Sequence, residues 1–351
     1  MNKYKANKKQ NQRIARITEN TLVVGADIAK RIHVARAVDF RGIELGKDCV
    51  FTNDREGLTR LAAWLKLLCK AHAKTDIIFG IEPTGHYWFP LAAFLKEKDI
   101  QIVVVNPHHV NRTKDIEDNS QTKSDYKDAK VIADLVRNGK YTEPNLPTKE
   151  YAELRILMNL REKVMVNLSQ VKIRIVGWLD RYFPEHPQVF RDWEGKASLM
   201  AMRRFPTPQE IVAAGARGVL ADWKTSIKHG VGIKRAEQLY AAAAVSIGLT
   251  EGLAAARIEL AILLEQYDLY TKQKETIMAE AIRILENIPG TNEMLSIPGI
   301  GVLTIAGFLA EVGDLGQYDH GQQIIRLAGL NLTENSSGKR KGKTGISKRG
   351  R

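Results

Sequence analysis

The sequence predicts an α/β domain followed by a long α-helical region and a small, mostly helical C-terminal segment. Three observations carry this. Over residues 21–145, apolar runs that end in acids alternate with stretches of helical spacing. Residues 151–182 and 251–286 keep apolar side chains at seven-residue intervals. From residue 288 onward the chain turns rich in glycine and then in lysine and arginine.

The elements follow in order. Residues 21–27 (TLVVGAD) read as a buried strand closed by an acid, and 31–39 (RIHVARAVD) as a second strand. Arg41-Gly42 supplies the turn, and 48–52 a short third strand. Leu58, Leu61, Ala62, Leu65 and Leu68 mark an amphipathic helix over 55–72, with Asn53 or Asp54 as its cap. A fourth strand, 76–81, again ends at an acid, Glu82. A helix from about Tyr87 to Lys96, a fifth strand at 101–105, a polar loop to about Ser124 and a helix over 125–137 complete the domain. Three adjacent strands suit an antiparallel meander, whereas the later ones need parallel crossovers. This is the element order of the RNase H-like fold.

In the middle region Leu157, Val164, Val171 and Trp178 form one heptad row. Leu154, Leu168, Ile175 and Tyr182 form its companion, broken by Arg161. Leu260, Leu263, Tyr267, Tyr270, Ile277, Ala281 and Ile284 pattern a second long helix. Two such helices predict a coiled-coil arm, within one chain or between chains. Residues 184–250 read as a helical insertion containing a weak hairpin-like element at His229–Gly232. The expected domains are therefore a basic tail at 1–20, the α/β domain at 21–145, the helical region at 146–286 and the C-terminal segment at 287–351.

Bulk composition narrows the function. Hydrophobic content of 44% and charged content of 26% over 351 residues describe a globular chain of two or three domains. Cys49 and Cys69 are the only cysteines and form no CxxC pair, which argues against a zinc site or a disulfide framework. No apolar run suits a membrane span or a signal peptide, so a cytoplasmic protein without a membrane partner is expected. The net charge is +13. Residues 1–18 carry six basic side chains and residues 335–351 carry seven, with no acid in either stretch, so the span between them is balanced. Charge held at two ends suits a grip on a polyanion, although solvated tails would have the same composition.

Four acids stand out. Asp27 and Glu82 end two strands, and Asp125 and Asp128, three residues apart, share one side of a helix. In a parallel sheet, residues beyond the carboxyl ends of adjacent strands meet at one place. Phosphoryl-transfer nucleases need such a convergence, because two Mg²⁺ ions roughly 4 Å apart activate the attacking and leaving oxygens. Each acid also has a structural reading. Asp27 suits a strand-end turn, Glu82 a simple edge carboxylate, Asp125 an N-cap, and Asp128 a first helical turn. Asp115, Glu117 and Asp118 compete by sequence and are read as solvated.

The segments VVGADIAKRIHVA, IEPTGHYW, VVNPHHV and KSDYKDAKVIADL resemble the N-terminal domain of the DEDD-type transposases of insertion sequences, the bridge-RNA-guided recombinases. The resemblance covers roughly residues 21–145 and 288–350. It implies a RuvC-like fold and a metal-binding tetrad at Asp27, Glu82, Asp125 and Asp128. It also implies Mg²⁺, donor and target DNA, a structured guide (bridge) RNA, and a homodimer or homotetramer.

IPGIG (297–301) before an apolar helix reads as a helix–hairpin–helix turn, whose Gly299 and Gly301 would free backbone N–H groups for a DNA phosphate. An ordinary glycine-rich helix connection is the alternative. The segment AGLNLTENSSGKRKGKTGISKRG resembles the serine-bearing transposase segment of the same family. That likeness implies a nucleophile at Ser337, before Gly338, with Ser336 as its near rival. Lys339, Arg340, Lys341, Lys348 and Arg349 would supply cations to the phosphate. Family members continue with further helices after ISKRG, so the C-terminal segment is expected to be truncated.

The sequence thus predicts a Mg²⁺-dependent DNA recombinase that cuts and rejoins strands through a phosphoserine intermediate. Its two catalytic pieces suggest a composite site shared between subunits. A hydrolytic nuclease such as a junction resolvase, or an inactive nucleic-acid-binding remnant, would share parts of the pattern. Beside Glu82, Tyr87 is expected to pack, and the role of His86 is left open.

Overall fold

A computed structural model describes residues 3–117, 125–144, 146–330, 332–333, 336–337, 340–342 and 344–346. The chain divides into two compact units, Met1–Leu146 with His320–Arg351, and Pro147–Asp319.

The first unit begins with helix α1 (Lys3–Ala15), where the sequence suggested a tail. The helix is anchored at its C-terminal half. Gln10 Nε2 donates to the Asn138 carbonyl, Arg13 lies over the Tyr141 ring, and just beyond the helix Arg16 pairs with Glu143. Strands β1 (Thr21–Asp27), β2 (Ile32–Val38) and β3 (Cys49–Thr52) form the antiparallel meander. Helix α2 (Arg55–Ala71) follows, with the Asp54 side chain accepting from the Gly57 N–H as its cap. Strand β4 (Asp76–Ile81) lies parallel to β1. After helix α3 (Phe89–Glu97), strand β5 (Gln101–Val105) lies parallel to β4.

Within the expected polar loop, residues 107–117 are helical instead, and 118–124 lie outside the described residues. Helix α4 (Pro107–Glu117) starts where Asn106 Oδ1 accepts the His108 N–H and Pro107 presets the first turn. Helix α5 (Asp125–Arg137) then leads to a short strand, β6 (Tyr141–Thr142), antiparallel to β5. Sequence pattern missed β6 because two residues carry no period. The sheet order is β3-β2-β1-β4-β5-β6, an order compatible with an RNase H-like domain.

Strand alternation sorts the side chains to two faces. Leu22, Val24, Ala26, Ala35, Ala37, Phe51, Phe79 and Ile81 pack with α2 and α3. Val23, Val38, Ile78, Val103 and Val105 pack with Val131, Ile132 and Val136 of α5. The α5 face is the one that carries the acids.

The second unit is helical. It contains α6 (Glu150–Tyr182), α7 (His186–Val189), α8 (Lys196–Arg204), α9 (Pro208–Ser226), α10 (Ile233–Ala244), α11 (Leu253–Leu285), α12 (Thr291–Leu295) and α13 (Val302–Val312), then a 3₁₀ turn at Leu315–Gln317. The two long helices α6 and α11 pack along each other. Leu168, Val171, Ile175 and Trp178 of α6 share a core with Leu260, Leu263 and Tyr267 of α11 and with the helices of the insertion. At the other end Leu154, Ala281, Ile284 and Leu285 pack with Ile305, Ala306 and Leu309 of α13. The segment from 287 thus contributes to this core. Its apolar helix completes the core at the base of α6 and α11.

The remainder, α14 (Gly321–Leu327) and the two-residue strands β7 (Leu332–Thr333), β8 (Ser336–Ser337), β9 (Arg340–Lys341) and β10 (Gly345–Ile346), belongs to the first unit. Beyond α14 this piece forms short β ladders, where a mostly helical segment was expected.

Candidate functional site

The site begins with two glycines. Gly25 of β1 and Gly80 of β4 are paired in register at the centre of the sheet. A Cβ on Gly25 would lie 2.2 Å from the Ala129 carbonyl oxygen and 2.3 Å from the Ala133 nitrogen. A Cβ on Gly80 would lie 2.3 Å from Val136 Cγ2. The bare strands form a seat into which the α5 backbone settles, and Ala129 and Ala133 on the helix keep the approach close.

This seat places the acids. Asp27 lies two residues beyond Gly25, and Glu82 two residues beyond Gly80, so alternation turns both to the α5 face. The ladder ends at the pair Ala26–Ile81, and the next residue on each chain segment is an acid, Asp27 and Glu82. Asp128 immediately precedes Ala129, whose carbonyl covers Gly25, and it is buried. Asp27 and Glu82 are half-buried. Each of these three acids engages a neighbouring group, as does Lys127. Asp125 opens α5, three residues before Asp128, and its side chain lies outside the described residues.

Carboxylates alone, without histidine or thiolate, form a hard-oxygen set suited to Mg²⁺ or Mn²⁺ rather than zinc. By donor chemistry and by their shared face, these residues fit a divalent cation. Among the described residues no three His, Cys, Asp or Glu side chains are drawn together tightly enough to hold a metal ion. Asp27, Glu82 and Asp128 therefore share a face without forming a closed ligand cage. Beside Glu82, Tyr87 packs against the core under α2 and α3, and the exposed His86 ring stacks on it at 4.5 Å.

The other candidate residues are placed as follows. Gly299 adopts φ +85°, a conformation that glycine takes without cost. Gly301 is the extended N-cap of α13, and both glycines are exposed. No described side chain caps this helix. The His229–Gly232 turn has the same form, with Gly230 at φ +86° and Gly232 capping α10. Ser336 and Ser337 pair antiparallel with Lys341 and Arg340, which sets Ser337 opposite Arg340 along the backbone. The side chains of Ser336, Ser337, Arg340 and Lys341, together with Asp118, Gly338, Lys339, Lys348 and Arg349, lie outside the described residues. Among the described residues no helix is long and apolar enough to cross a membrane.

Sequence reasoning overlooked the two seat glycines. The signal was present, since each acid is preceded at two residues by a glycine inside an apolar strand (GAD and GIE). A strand-interior glycine marks close approach of another backbone.

Comparison with known proteins agrees with this architecture. The DEDD-type IS110 transposase model matches residues 24–184, and the Transposase IS116/IS110/IS902 family model matches residues 291–351. An uncharacterized 44.8 kDa protein of insertion element IS116 from Streptomyces clavuligerus is 26% identical over 323 residues, covering 91% of this chain and 78% of that protein. The mini-circle putative transposase for IS117 of Streptomyces coelicolor is 27% identical over 311 residues, 84% of this chain and 72% of its own. The transposase for insertion sequence element IS1111A of Coxiella burnetii is 44% identical over 55 residues, 16% of this chain and 15% of its own. The protein is a transposase, an enzyme that acts on DNA. Two family matches that together cover more than half of the chain identify it further: it belongs to the IS110 family of transposases.

Proposed function

We propose that this transposase cuts and rejoins DNA at a site built from a RuvC-like acid cluster and a serine. The observation that carries the reading is the Gly25–Gly80 seat, which sets Asp27, Glu82 and Asp128 on one face beside the first turn of α5. Asp27, Glu82, Asp125 and Asp128 would hold divalent metal, taken as Mg²⁺ from the all-carboxylate donor set. Bound metal supplies charge neutralisation at the scissile phosphate and activation of the oxygens around it.

The chain's own residues do the rest. Ser337 attacks phosphorus through Oγ and gives up its proton to a nearby base. A serine–phosphate ester forms as the bond to the adjoining sugar oxygen breaks, and that oxygen leaves with a proton. The ester keeps the energy of the broken bond for rejoining. Arg340, opposite Ser337 on the hairpin backbone, and the neighbouring Lys339, Lys341, Lys348 and Arg349 steady the negative charge that builds on the phosphate. The glycine turn at Gly299 and Gly301, ahead of the N-terminus of α13, suits a DNA backbone phosphate. A structured guide RNA would supply sequence choice by base pairing, and a dimer or tetramer would bring two DNA partners together.

The test is a denaturing gel of the purified protein with its co-purified RNA, matching DNA and Mg²⁺, run beside Asp27→Ala and Ser337→Ala. A protein–DNA band that both variants lose supports the reading. Free cleaved DNA that persists in Ser337→Ala and vanishes in Asp27→Ala would instead assign a hydrolytic nuclease.

A further inference from the structure

Asp27 and Glu82 end neighbouring strands, and after each the chain must turn. A string of buried polar groups on the sheet face opposite α5 joins those two turns. His33 of β2 is fully buried, with its ring edge-on to Phe51 at 5.0 Å. Its Nδ1 accepts the N–H of Ala29, two residues past Asp27, at 3.3 Å. With Nδ1 accepting, the neutral ring carries its proton on Nε2.

Beside that ring is Asn53, at the end of β3. Its Nδ2 donates to the carbonyl of Tyr87, five residues past Glu82, at 3.1 Å. Its backbone N–H donates to Arg31 at 3.0 Å, which ties it to the β1–β2 turn as well. Nε2 of His33 and Oδ1 of Asn53 are both buried, and neither meets hydrogen-bond geometry with any group. One is a donor and the other an acceptor, and an unpaired buried polar atom is costly. Burial holds the His33 pKa below its ordinary value, and Asn53 pulls it partly back, so the ring is neutral near pH 7.

We propose that His33 and Asn53 are positioning residues that lock the turn after Asp27 to the turn after Glu82 and thereby set the affinity of the acid cluster for a divalent cation. The proposal rests on the metal reading of the acids given above. Neither residue touches the cation. They act by fixing the backbone from which two carboxylates project, as outer partners of metal ligands do.

The experiment is Mn²⁺ binding to the full chain, followed by electron paramagnetic resonance without DNA, on wild type, Asn53→Ala, Phe51→Leu and Asp27→Asn. The Phe51→Leu variant loosens the same core without removing a polar group, and thermal midpoints are recorded for all four. Loss of an outer partner of a metal ligand weakens affinity by about 10–100-fold. Asn53→Ala is expected to fall in that range, with Phe51→Leu close to wild type at a similar loss of thermal midpoint. Nitrogen NMR of His33 should show a protonated Nε2 and an accepting Nδ1, with the Nε2–H signal displaced in Asn53→Ala. The proposal is overturned if Asn53→Ala binds Mn²⁺ within roughly twofold of wild type, well short of a ligand-partner effect. It is also overturned if Phe51→Leu loses as much affinity. An Asp27→Asn variant that binds normally would remove the metal reading and this proposal together. Loss in Asp27→Asn with none in Asn53→Ala would remove the positioning role alone.

Discussion

Replacing Gly25 by alanine puts a methyl carbon 2.2 Å from the Ala129 carbonyl oxygen and 2.3 Å from the Ala133 nitrogen. Both are backbone atoms of α5, and no side-chain rotation moves them. Ordinary contact begins near 3.4 Å, so the helix must retreat by more than about 1 Å across a close-packed face. Overpacking costs about 1–3 kcal/mol, and the backbone character of the clash puts Gly25→Ala at or above the upper end. Gly80→Ala is the control. Its methyl meets Val136 Cγ2 at 2.3 Å, the tip of a side chain that can rotate, so the cost falls to about 1–2 kcal/mol. Function separates the two further, because α5 carries Asp125 and Asp128. A misplacement of about 1 Å at a reacting centre costs on the order of 100-fold in rate. Urea unfolding gives the stabilities, and single-turnover strand cleavage at a temperature where both variants are folded gives the rates. Gly25→Ala is expected to be the less stable and to lose about 100-fold in cleavage, with Gly80→Ala within about tenfold of wild type. Equal stabilities, or full cleavage by Gly25→Ala, would refute the seat argument.

Three further outcomes follow from the helical unit. Trp178 is fully buried between α6 and α11 and donates its indole N–H to the Ala256 carbonyl at 2.9 Å. Trp178→Ala should cost about 3–5 kcal/mol in urea unfolding. Arg155 Nε and Nη2 donate at 2.8 Å to the carbonyls of Ala310 and Glu311, at the end of α13. Arg155→Met should lower stability by about 1.5–3 kcal/mol and speed amide exchange at the last turn of α13. His186 is buried, bonded to Ser198 Oγ at 3.1 Å, and burial depresses its pKa from 6.5 to about 4. The unfolded chain therefore binds the extra proton first, so the stability from this residue is present above pH 6.5 and is lost as pH falls toward 4. The loss is roughly 3 kcal/mol by pH 4, and His186→Gln should flatten that part of the stability profile.

The strands of the sheet were legible because each is an apolar run bounded by turn residues, and the acids because they terminate those runs. The two long helices announced themselves by heptad spacing. Other features carried no such signal. Strand β6 has two residues and no period. Helix α4 has a polar sequence, and its start depends on Asn106 and Pro107 rather than on an apolar stripe. The helical form of residues 3–15 is set partly by contacts with Asn138 and Tyr141, far along the chain. The packing of α13 was hidden for a related reason. Local sequence marks where α13 begins, whereas its membership in the α6–α11 core depends on side chains more than a hundred residues away, Leu154 among them. The Gly25–Gly80 seat was visible as two glycines but acquired meaning only when α5 was found lying on them. His33 and Asn53 looked like a strand residue and a helix cap, and only the fold shows that they stand between two turns.

The most direct test of the acid cluster is the anomalous scattering of Mn²⁺ soaked into crystals of the protein. A peak is expected beyond the carboxyl ends of β1 and β4, beside the first turn of α5, with oxygens of Asp27, Glu82 and Asp128 as its ligands. Mn²⁺ held elsewhere on the chain, with these three carboxylates still bonded to protein groups at saturating metal, would contradict it.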